Sequence, residues 1–339
     1  MKQKILVTRK IFGDIIARLE EVFEVEHNVN DNQLSSAELQ SRLADKVGAI
    51  LMGGDQINEE IISSCPSLRA VCNCAAGYNN MDLPSLTRAG IIAMNTPELS
   101  NESVADHAWG LMIAAARRTM VCDEHVRSGA WRGFSFELFL GADMHRTTLG
   151  IVGMGRIGQA IARRAAGFDM DVLYSNRNRL TEDIEARLRA RHVTLDQLLT
   201  DADHVVLALP YSPNVHHLIS APQLARMKPT ATLVNVARGG IVNDEALAAA
   251  LHANTIAGAG LDVFEGEPSV HPALLIAPNL VMTPHVGSAT LTTRRAIAHL
   301  AVDNLVAALD YGPNAGQPKC ILNPEVLTTK RSVASSRVL

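Results

Sequence analysis

The first hundred residues alternate between short apolar runs and longer segments with helical spacing. Buried strands are indicated by the runs KILVTR, FEVEH, AILM, LRAVCNC and IIAMN. Amphipathic helices are indicated between them by FGDIIARLEEV, SAELQSRLAD, NEEIISSC and MDLPSLTRAG, in which apolar residues recur every three or four positions. This alternation predicts a parallel sheet with helices on both faces.

The same alternation begins again at Thr148, with strand-like runs LGIVGMG, DVLYSN, HVVLALP, ATLVNVA, IAGAGLDV and LVMTPH. Before it, one long helix is expected through ESVADHAWGLMIAAARRTMVCDEHVRSG, capped by Ser100 and ended by Gly129. A further amphipathic segment, LTTRRAIAHLAVDNLVAALDYG, follows the second set of strands. The sequence therefore predicts an α/β protein with two doubly wound parallel-sheet domains.

Length and composition agree with two folded domains. The chain has 339 residues, of which 47% are hydrophobic and 19% charged, as in ordinary globular proteins. The formal net charge of −4 gives no electrostatic reason to expect nucleic acid or a membrane as partner. No apolar run reaches the roughly 18 residues that span a bilayer, and the apolar stretch near the N-terminus is too short for a secretory signal. We expect a cytoplasmic protein.

The five cysteines are an odd number, thinly spread, which favours reduced thiols over a disulfide framework. Cys72 and Cys74 form a CxC without further Cys or His at metal-binding spacing, so we expect them to pack within a strand region and predict no metal site.

Glycines follow the first strand of the second region in TLGIVGMGRIG, and the helix-like QAIARRAA comes directly after them. In this context Gly153 permits a tight turn, Gly155 lets the backbone approach a pyrophosphate, and Gly158 lets helix and strand pack closely. The N-terminus of the helix offers N–H groups and partial positive charge to phosphates. The pattern predicts a dinucleotide site that includes Arg156 and Ile157.

The end of the next strand carries no carboxylate, although an NAD site usually has one there to bind the ribose hydroxyls. The sequence has Ser175, Asn176, Arg177 and Arg179 at these positions. An arginine can pair with a 2′-phosphate and stack on adenine, whereas a carboxylate would repel the phosphate. We therefore predict NADPH as the preferred cofactor, with NADH possible; two solvated loop arginines remain the alternative interpretation.

Three candidate catalytic residues follow strand-like runs: Arg238 in NVARGG, Glu267 in GLDVFEGEP and His285 in MTPHVGSAT. Reduction of a 2-oxo acid places negative charge on the keto oxygen, which needs a cation to polarise it and a proton donor to neutralise it. Arg238 suits the first role and His285 the second, while Glu267 can orient the imidazole and stabilise its protonated form. Taken singly, each residue also has a purely structural explanation.

The sequence resembles the D-isomer-specific 2-hydroxyacid dehydrogenase family from about Lys4 to Pro324. The matching segments are CAAGYNNMDL, TLGIVGMGRIG, VNVARGGIVNDEAL, AGLDVFEGEP and TPHVGSAT. GADMHRTTLGIVGMGRIG and HVGSATLTTR are most similar to the bacterial glyoxylate/hydroxypyruvate reductases that also reduce 2-ketogluconate. The resemblance implies an enzyme that reduces small 2-oxo acids to D-2-hydroxy acids.

The resemblance also implies a domain arrangement. A discontinuous, flavodoxin-like substrate domain is expected over residues 1–99 and 290–325, around a Rossmann nucleotide-binding domain over residues 100–289. Residues 326–339 have few large apolar side chains and are expected to form a mobile tail. Family members are usually homodimers joined through the nucleotide domains, and Trp131 would then either close a neighbouring subunit's pocket or anchor the interface.

Residue roles follow from the same resemblance. Arg238 binds the substrate and polarises its carbonyl, Glu267 partners the histidine, and His285 is the acid/base. Backbone amides at Ala76 and Gly77 hold the substrate carboxylate. The remaining implied contacts are Ser288 near the substrate hydroxyl, Asp262 at the nicotinamide carboxamide, and Pro210, Val236 and Gly287 at the cofactor. Two positions depart from the family pattern, Asn79 where Asp is frequent and Asp106 where Glu is common; His107 beside the latter is expected to be a packed helix residue.

Three alternatives stay open. An NAD-dependent D-lactate or phosphoglycerate dehydrogenase is opposed by Arg177, and the latter's usual regulatory domain has no room after Pro324. A formate dehydrogenase pairs its histidine with Gln rather than with a residue such as Glu267. A nucleotide-sensing protein without turnover is opposed by the complete set of Arg238, Glu267 and His285.

Overall fold

The computed structural model describes residues 1–327, which divide into two compact units. One comprises Met1–Ser100 and the segment that begins at Thr290; the other is Asn101–Ala289. Of the expected mobile tail, Val326 is buried in the first unit's core, while residues from 328 onward lie outside the described part. In that described part, no helix combines the length and apolar character that crossing a membrane requires.

The first unit alternates strands with helices, as the apolar pattern predicts. Its elements are β1 (Lys4–Val7), α1 (Gly13–Glu20), β2 (Glu24–His27), α2 (Ser36–Leu43), β3 (Gly48–Leu51), α3 (Glu59–Ser64), β4 (Ala70–Asn73), α4 (Leu83–Arg88) and β5 (Ile92–Met94), with α13 (Leu291–Ala308) added by the later segment.

The strands of this unit form one parallel sheet in the order β2-β1-β3-β4-β5, the flavodoxin-like order of doubly wound folds. Successive side chains of a strand face opposite sides of a sheet. Ile5 and Val7 accordingly belong to the core beneath α13, whereas Leu6 belongs to the core on the opposite face. Burial of the inner strands on both faces explains why β3 and β4 are almost continuously apolar, whereas the edge strand β2 carries charged residues and is not fully buried.

The second unit begins with two helices, α5 (Asn101–Ala116) and α6 (Thr119–Arg127). The elements that follow are β6 (Thr148–Val152), α7 (Arg156–Ala165), β7 (Asp171–Ser175), α8 (Glu182–Leu188), β8 (Ala190–His192), α9 (Leu195–Asp201), β9 (His204–Leu207), α10 (Ala221–Leu224), β10 (Thr232–Asn235), α11 (Asp244–His252), β11 (Gly258–Leu261), α12 (Pro272–Leu275) and β12 (Leu280–Met282).

Seven parallel strands of this unit are ordered β12-β11-β10-β9-β6-β7-β8. Strand order reverses beside β6, the first strand of the sheet in sequence, which lies between β9 and β7. This is the Rossmann arrangement extended by one strand, and such sheets bind ligands beyond the carboxyl ends of the strands at the reversal point. The predicted class of two doubly wound parallel-sheet domains is confirmed.

Two local predictions need correction. The single long helix expected through Gly129 is two helices, because Arg118 adopts a left-handed conformation between α5 and α6. The carbonyl of Ala116 accepts a hydrogen bond from the N–H of Ala142 at 2.9 Å. This loop residue provides the hydrogen bond that the next turn of a continuous helix would otherwise provide. The short edge strand β8 has no apolar run in the sequence and was not expected.

Candidate active site

The predicted site residues of the second unit lie at one edge of its sheet. Gly153 follows β6, Arg177 follows β7, Arg238 follows β10, Asp262 follows β11 and His285 follows β12. All of these strands are parallel, so their carboxyl ends share that edge. The loops that carry the predicted motifs therefore lie side by side at this edge of the sheet.

The glycine-rich loop has two positions at which packing within the protein requires glycine. Gly153 has a φ of +100°, and a Cβ there would lie 2.6 Å from the carbonyl oxygen of Ala208. A Cβ on Gly158 would lie 2.3 Å from the carbonyl oxygen of Gly153. Both contacts are impossible for a real Cβ, so these glycines allow the strand, turn and helix to approach one another.

Gly155 differs from both, because a Cβ there would meet no atom of the described residues within 4 Å and its φ of −75° is ordinary. Packing inside the protein therefore does not explain glycine at this position. A pyrophosphate held against the N-terminus of α7 would explain it, since a side chain would occupy the space that the ligand needs. The loop is also fixed from β7: the side-chain oxygen of Asn176 accepts a hydrogen bond from the N–H of Met154 at 2.8 Å.

The two arginines predicted to bind a 2′-phosphate have different surroundings. Arg179 forms a bidentate pair with Glu185, with nitrogen to oxygen distances of 2.9 and 2.7 Å. Tyr174 donates a further hydrogen bond to Glu185 at 2.6 Å, and the bonds from Arg179 and Tyr174 lower the pKa of Glu185 to about 2. Arg177 is exposed and has no ion-pair or hydrogen-bond partner among residues 1–327. Arg177 is therefore the arginine available to a phosphate.

His285, Glu267 and Arg238 form one electrostatic group. Glu267 Oε2 lies 2.8 Å from Nδ1 of His285, and its Oε1 accepts the N–H of Phe264 at 2.9 Å. Partial burial by itself would raise the pKa of Glu267. The pKa is nevertheless lowered, because the carboxylate is stabilised by the hydrogen bond and charge of His285, by the Phe264 amide and by the charge of Arg238. Burial lowers the pKa of Arg238, which Glu267 partly offsets.

This arrangement fixes the direction of the imidazole. Glu267 holds Nδ1, and no residue of the described chain forms a hydrogen bond or ion pair with Nε2 of His285, so Nε2 is the nitrogen available for proton transfer. A protonated His285, Arg238 and ionised Glu267 together carry one net positive charge, which suits an anionic substrate whose oxygen gains charge during reaction. The structure thus brings together the three predicted catalytic residues.

The loop that carries His285 is held by the buried carboxylate of Asp262. Its Oδ1 accepts hydrogen bonds from Thr283 Oγ1 at 2.7 Å and from the N–H of Val286 at 2.8 Å, and its Oδ2 accepts the N–H of Gly287 at 2.8 Å. His285 itself has a φ of +54°, a left-handed conformation that non-glycine residues adopt only where their surroundings enforce it. Asp262 holds the backbone in this conformation, because it accepts hydrogen bonds from residues on both sides of His285.

His107, which we expected to be only a packed helix residue, also contacts this group. Its Nε2 lies 2.9 Å from Thr283 Oγ1 and 3.2 Å from Asp262 Oδ1. Because the Thr283 hydroxyl donates to Asp262, its oxygen can accept the N–H of His107. A histidine and a threonine that are far apart in sequence thereby meet on one carboxylate, and sequence alone gives no signal for that meeting.

The remaining predicted contacts of the second unit follow strands of the same sheet or adjoin Asp262. Pro210 is exposed after β9, Val236 is buried directly after β10, Ser288 is partly buried, and a Cβ on Gly287 would lie 3.1 Å from Asp262 Oδ2. In the first unit, Ala76 and Gly77 lie in the loop after β4.

A second histidine cluster lies in the loops of the second unit: His216, His217 and Glu265 bring potential metal-binding atoms within 4.8 Å of one another. The side-chain oxygen of Asn243 caps α11, so its amide nitrogen faces Nδ1 of His217 at 3.2 Å. Nδ1 must then accept, and Nε2 donates to Glu265 at 2.8 Å. A metal ion on Nε2 would need the opposite polarity, so we interpret the cluster as hydrogen-bonded.

Comparison with known proteins agrees with this geometry. The family profile "D-isomer specific 2-hydroxyacid dehydrogenase, NAD binding domain" matches residues 109–287. The chain is 44% identical over 335 residues to the glyoxylate reductase of Thermococcus onnurineus, covering 98% of this chain and 99% of that protein. The chain belongs to the D-isomer-specific 2-hydroxyacid dehydrogenases. The family expected from the sequence motifs is confirmed.

Two further similarities extend over nearly the whole chain. The glyoxylate/hydroxypyruvate reductase B of Pectobacterium carotovorum is 41% identical over 336 residues, covering 96% of this dehydrogenase and 100% of that protein. The structure of the NADPH-dependent glyoxylate/hydroxypyruvate reductase of Sinorhizobium meliloti, in complex with NADP and malonate, has a TM-score of 0.83 and 33% identity, covering 95% and 97% of the two chains. This dehydrogenase is therefore an oxidoreductase with a nicotinamide cofactor.

Proposed function

We propose that this dehydrogenase reduces small 2-oxo acids to D-2-hydroxy acids with NADPH. Glyoxylate and hydroxypyruvate are the proposed substrates, with 2-ketogluconate as a further candidate, since the similar proteins carry the first two names. The observation that carries the proposal is the 2.8 Å contact between His285 and Glu267, with Arg238 acting on the same carboxylate, at the sheet edge that also carries the glycine-rich loop.

The chemistry divides between the cofactor and the chain. A bound nicotinamide cofactor supplies the hydride that reduces the keto carbon. Arg238 polarises the keto oxygen and stabilises the negative charge that develops there. Protonated His285 gives its Nε2 proton to that oxygen and becomes neutral, while Glu267 keeps the ring oriented through Nδ1. We assign the backbone amides of Ala76 and Gly77 to the substrate carboxylate and Ser288 to the hydroxyl of the product.

The residues of the nucleotide loop fit a phosphorylated dinucleotide. The conformation of Gly155 and its open surroundings suit a pyrophosphate at α7, and no acidic residue occurs from Ser175 to Arg179 to oppose a 2′-phosphate. Arg177 would bind that phosphate. Arg179 would not bind the phosphate directly, because its guanidinium already forms two hydrogen bonds with Glu185.

Initial rates with glyoxylate, hydroxypyruvate, 2-ketogluconate and pyruvate, each with NADPH and with NADH, test the proposal. We expect the highest kcat/KM with NADPH and either glyoxylate or hydroxypyruvate, and D-glycerate as the product from hydroxypyruvate. Preference for pyruvate and NADH would favour a D-lactate-type dehydrogenase instead. Tight NADPH binding without turnover of any of these acids would favour the nucleotide-sensing alternative.

The role of His285 has its own test. His285→Ala removes the proton donor, and general acid catalysis typically contributes about 10² to 10⁴-fold. We expect kcat to fall by roughly that factor while the Kd of NADPH, measured by fluorescence titration, changes little. His252→Ala, at an exposed position at the end of α11, is the matched control and should behave as the wild type. Normal turnover of His285→Ala would refute the assignment.

We propose that the enzyme is a homodimer. Phe134 and Phe136 are 89% and 85% exposed, in a segment of the second unit whose neighbouring apolar side chains are also open to solvent. Such a cluster is unusual on a monomer and is typical of an association surface. The other exposed members are Trp131, Leu138 and Leu140. Sedimentation velocity at micromolar concentration should give a dimer, and a monomer there would contradict the proposal.

A further inference from the structure

The loop after β4 has two carbonyl groups that are held by buried asparagine side chains. The amide nitrogen of Asn95 donates to the carbonyl oxygen of Ala76 at 2.7 Å, and that of Asn73 donates to the carbonyl oxygen of Gly77 at 2.7 Å. Asn73 is fully buried and Asn95 is 6% exposed. Two uncharged donors therefore fix the orientation of two consecutive peptide groups.

The preceding peptide is fixed in the same way. The carbonyl oxygen of Ala75 accepts a hydrogen bond from the backbone N–H of Thr96 at 3.1 Å, and Thr96 is 1% exposed. Three successive carbonyl groups of this loop are thus directed at buried donors.

This arrangement determines where the N–H groups of the loop point. In a trans peptide the N–H is antiparallel to the carbonyl of the preceding residue. The N–H groups of Ala76, Gly77 and Tyr78 therefore point away from the buried donors, and no residue of the described chain accepts a hydrogen bond from them. Ala76 and Tyr78 are exposed and Gly77 is partly so. Three adjacent donors thus have no partner among residues 1–327.

Successive backbone N–H groups of this kind form a site for an anion. We propose that Asn73 and Asn95 are positioning residues that aim the N–H groups of Ala76, Gly77 and Tyr78 at the carboxylate of the substrate. This inference rests on the proposed reduction of 2-oxo acids. It adds the amide of Tyr78 and two buried asparagines to the carboxylate site, and none of the three was expected from the sequence.

The asparagines are themselves rigidly held. Asn73 is the last residue of β4, and its amide nitrogen also donates to the side-chain oxygen of Asn80 at 3.1 Å. Asn95 follows β5, and its backbone N–H donates to the carbonyl oxygen of Cys320 at 3.3 Å. A donor fixed to a sheet can hold a peptide plane that would otherwise turn its carbonyl to water. Loss of the donor should let the plane rotate and scatter the directions of the N–H groups.

The test replaces Asn95 with Ala, which removes the side-chain donor and keeps the backbone contact of that residue. We expect the KM for glyoxylate and the inhibition constant of oxamate, an unreactive carboxylate analogue, to rise together by about tenfold. The kcat and the KM for NADPH should change less than twofold. Asn95→Ser, whose side chain is shorter, carries the same test if the Ala variant does not fold.

A matched control separates positioning from general destabilisation. Asn323 is also a buried asparagine of the first unit, and its amide nitrogen donates to the carbonyl of Ile91 at 2.9 Å, outside the loop. Asn323→Ala should lower the thermal stability without changing the inhibition constant of oxamate. An equal rise of that constant in both variants, or no rise in Asn95→Ala, would overturn the inference.

Direct observation of the amides makes the outcome independent of turnover. In ¹⁵N-labelled enzyme with NADPH, oxamate should shift the amide resonances of Ala76, Gly77 and Tyr78, and the shifts should be reduced in Asn95→Ala. Absence of these shifts in the wild type would refute the carboxylate site even if the enzyme reduces glyoxylate. Failure of the wild type to reduce any 2-oxo acid, with the shifts present, would instead refute the proposed function alone.

Discussion

The proposed preference for NADPH depends on one arginine rather than two. Arg177 and Arg179 follow the same strand, but Arg179 is paired through two hydrogen bonds with Glu185, whereas Arg177 is exposed and unpartnered in the part of the chain that is described. Arg177→Gln is the informative change, because it removes the charge and the guanidinium fork but keeps a side chain of similar length.

The size of the effect follows from the interaction that is lost. A hydrogen bond to a charged group contributes about 1.5 to 3 kcal/mol. Since about 1.36 kcal/mol corresponds to tenfold, kcat/KM for NADPH should fall by roughly 10 to 150-fold. NADH lacks the 2′-phosphate, so its kcat/KM should change little. The exposed position of Arg177 and screening by salt favour the lower part of this range.

The assay compares kcat/KM for both cofactors in the wild type, Arg177→Gln and a control, Arg191→Gln. Arg191 lies in β8, is exposed and changes the net charge equally. We expect the NADPH to NADH ratio to fall only in Arg177→Gln, and higher ionic strength to reduce the difference from the wild type. Equal losses with both cofactors would show that Arg177 does not act on the 2′-phosphate and would contradict the prediction.

Two further predictions concern carboxylates that hold the site. In Asp262→Asn, the side-chain NH₂ group would face one of the two backbone N–H groups that now donate to Asp262. Because two donors cannot pair, kcat with both cofactors and the thermal midpoint should fall. An unchanged kcat in steady-state assays would contradict a positioning role. Glu185 has a pKa of about 2 instead of 4.5, so its ionised form stabilises the fold above about pH 4.5 and this contribution is lost as the pH falls towards 2. In urea unfolding, Glu185→Gln should therefore lower the free energy of unfolding more at pH 7 than at pH 3. A loss of unfolding free energy that is the same at both pH values would contradict this prediction.

Most of the fold could be predicted because both sheets are buried on two faces. Such strands are continuously apolar, and the runs around Ile5 and Val205 are examples that identify β1 and β9 directly. The edge strand β8 lacks this signal, since Arg191 is exposed at its centre and only Ala190 is buried. The end of α5 was missed for another reason: the loop residue that takes the carbonyl of Ala116 is far along the chain, and helix propensity carries no information about it.

The candidate site was predictable where function leaves a local motif. The glycines of the phosphate loop and the residues Arg238, Glu267 and His285 occur in short segments that follow strands, and the parallel sheet brings strand ends together. The difference between Arg177 and Arg179 was not predictable. Either arginine could pair with Glu185 by sequence distance, and only the path of the chain after β7 decides which guanidinium is occupied.

The residues that position the site share one physical property that hides them from sequence analysis. Asp262, Asn73 and Asn95 act by satisfying backbone groups, and a buried backbone N–H or carbonyl must find a partner in every folded protein. A buried Asn or Asp that bonds a backbone group therefore has an ordinary structural explanation. Its functional role becomes visible only when one asks which group lies on the other side of the backbone segment that it holds. For Asn95 that side is a row of exposed N–H donors, and for Asp262 it is the left-handed backbone of His285. In both cases a hydrogen bond that looks structural determines the direction of a group available for chemistry, so substitutions there should change substrate affinity or turnover beyond what the loss of stability explains.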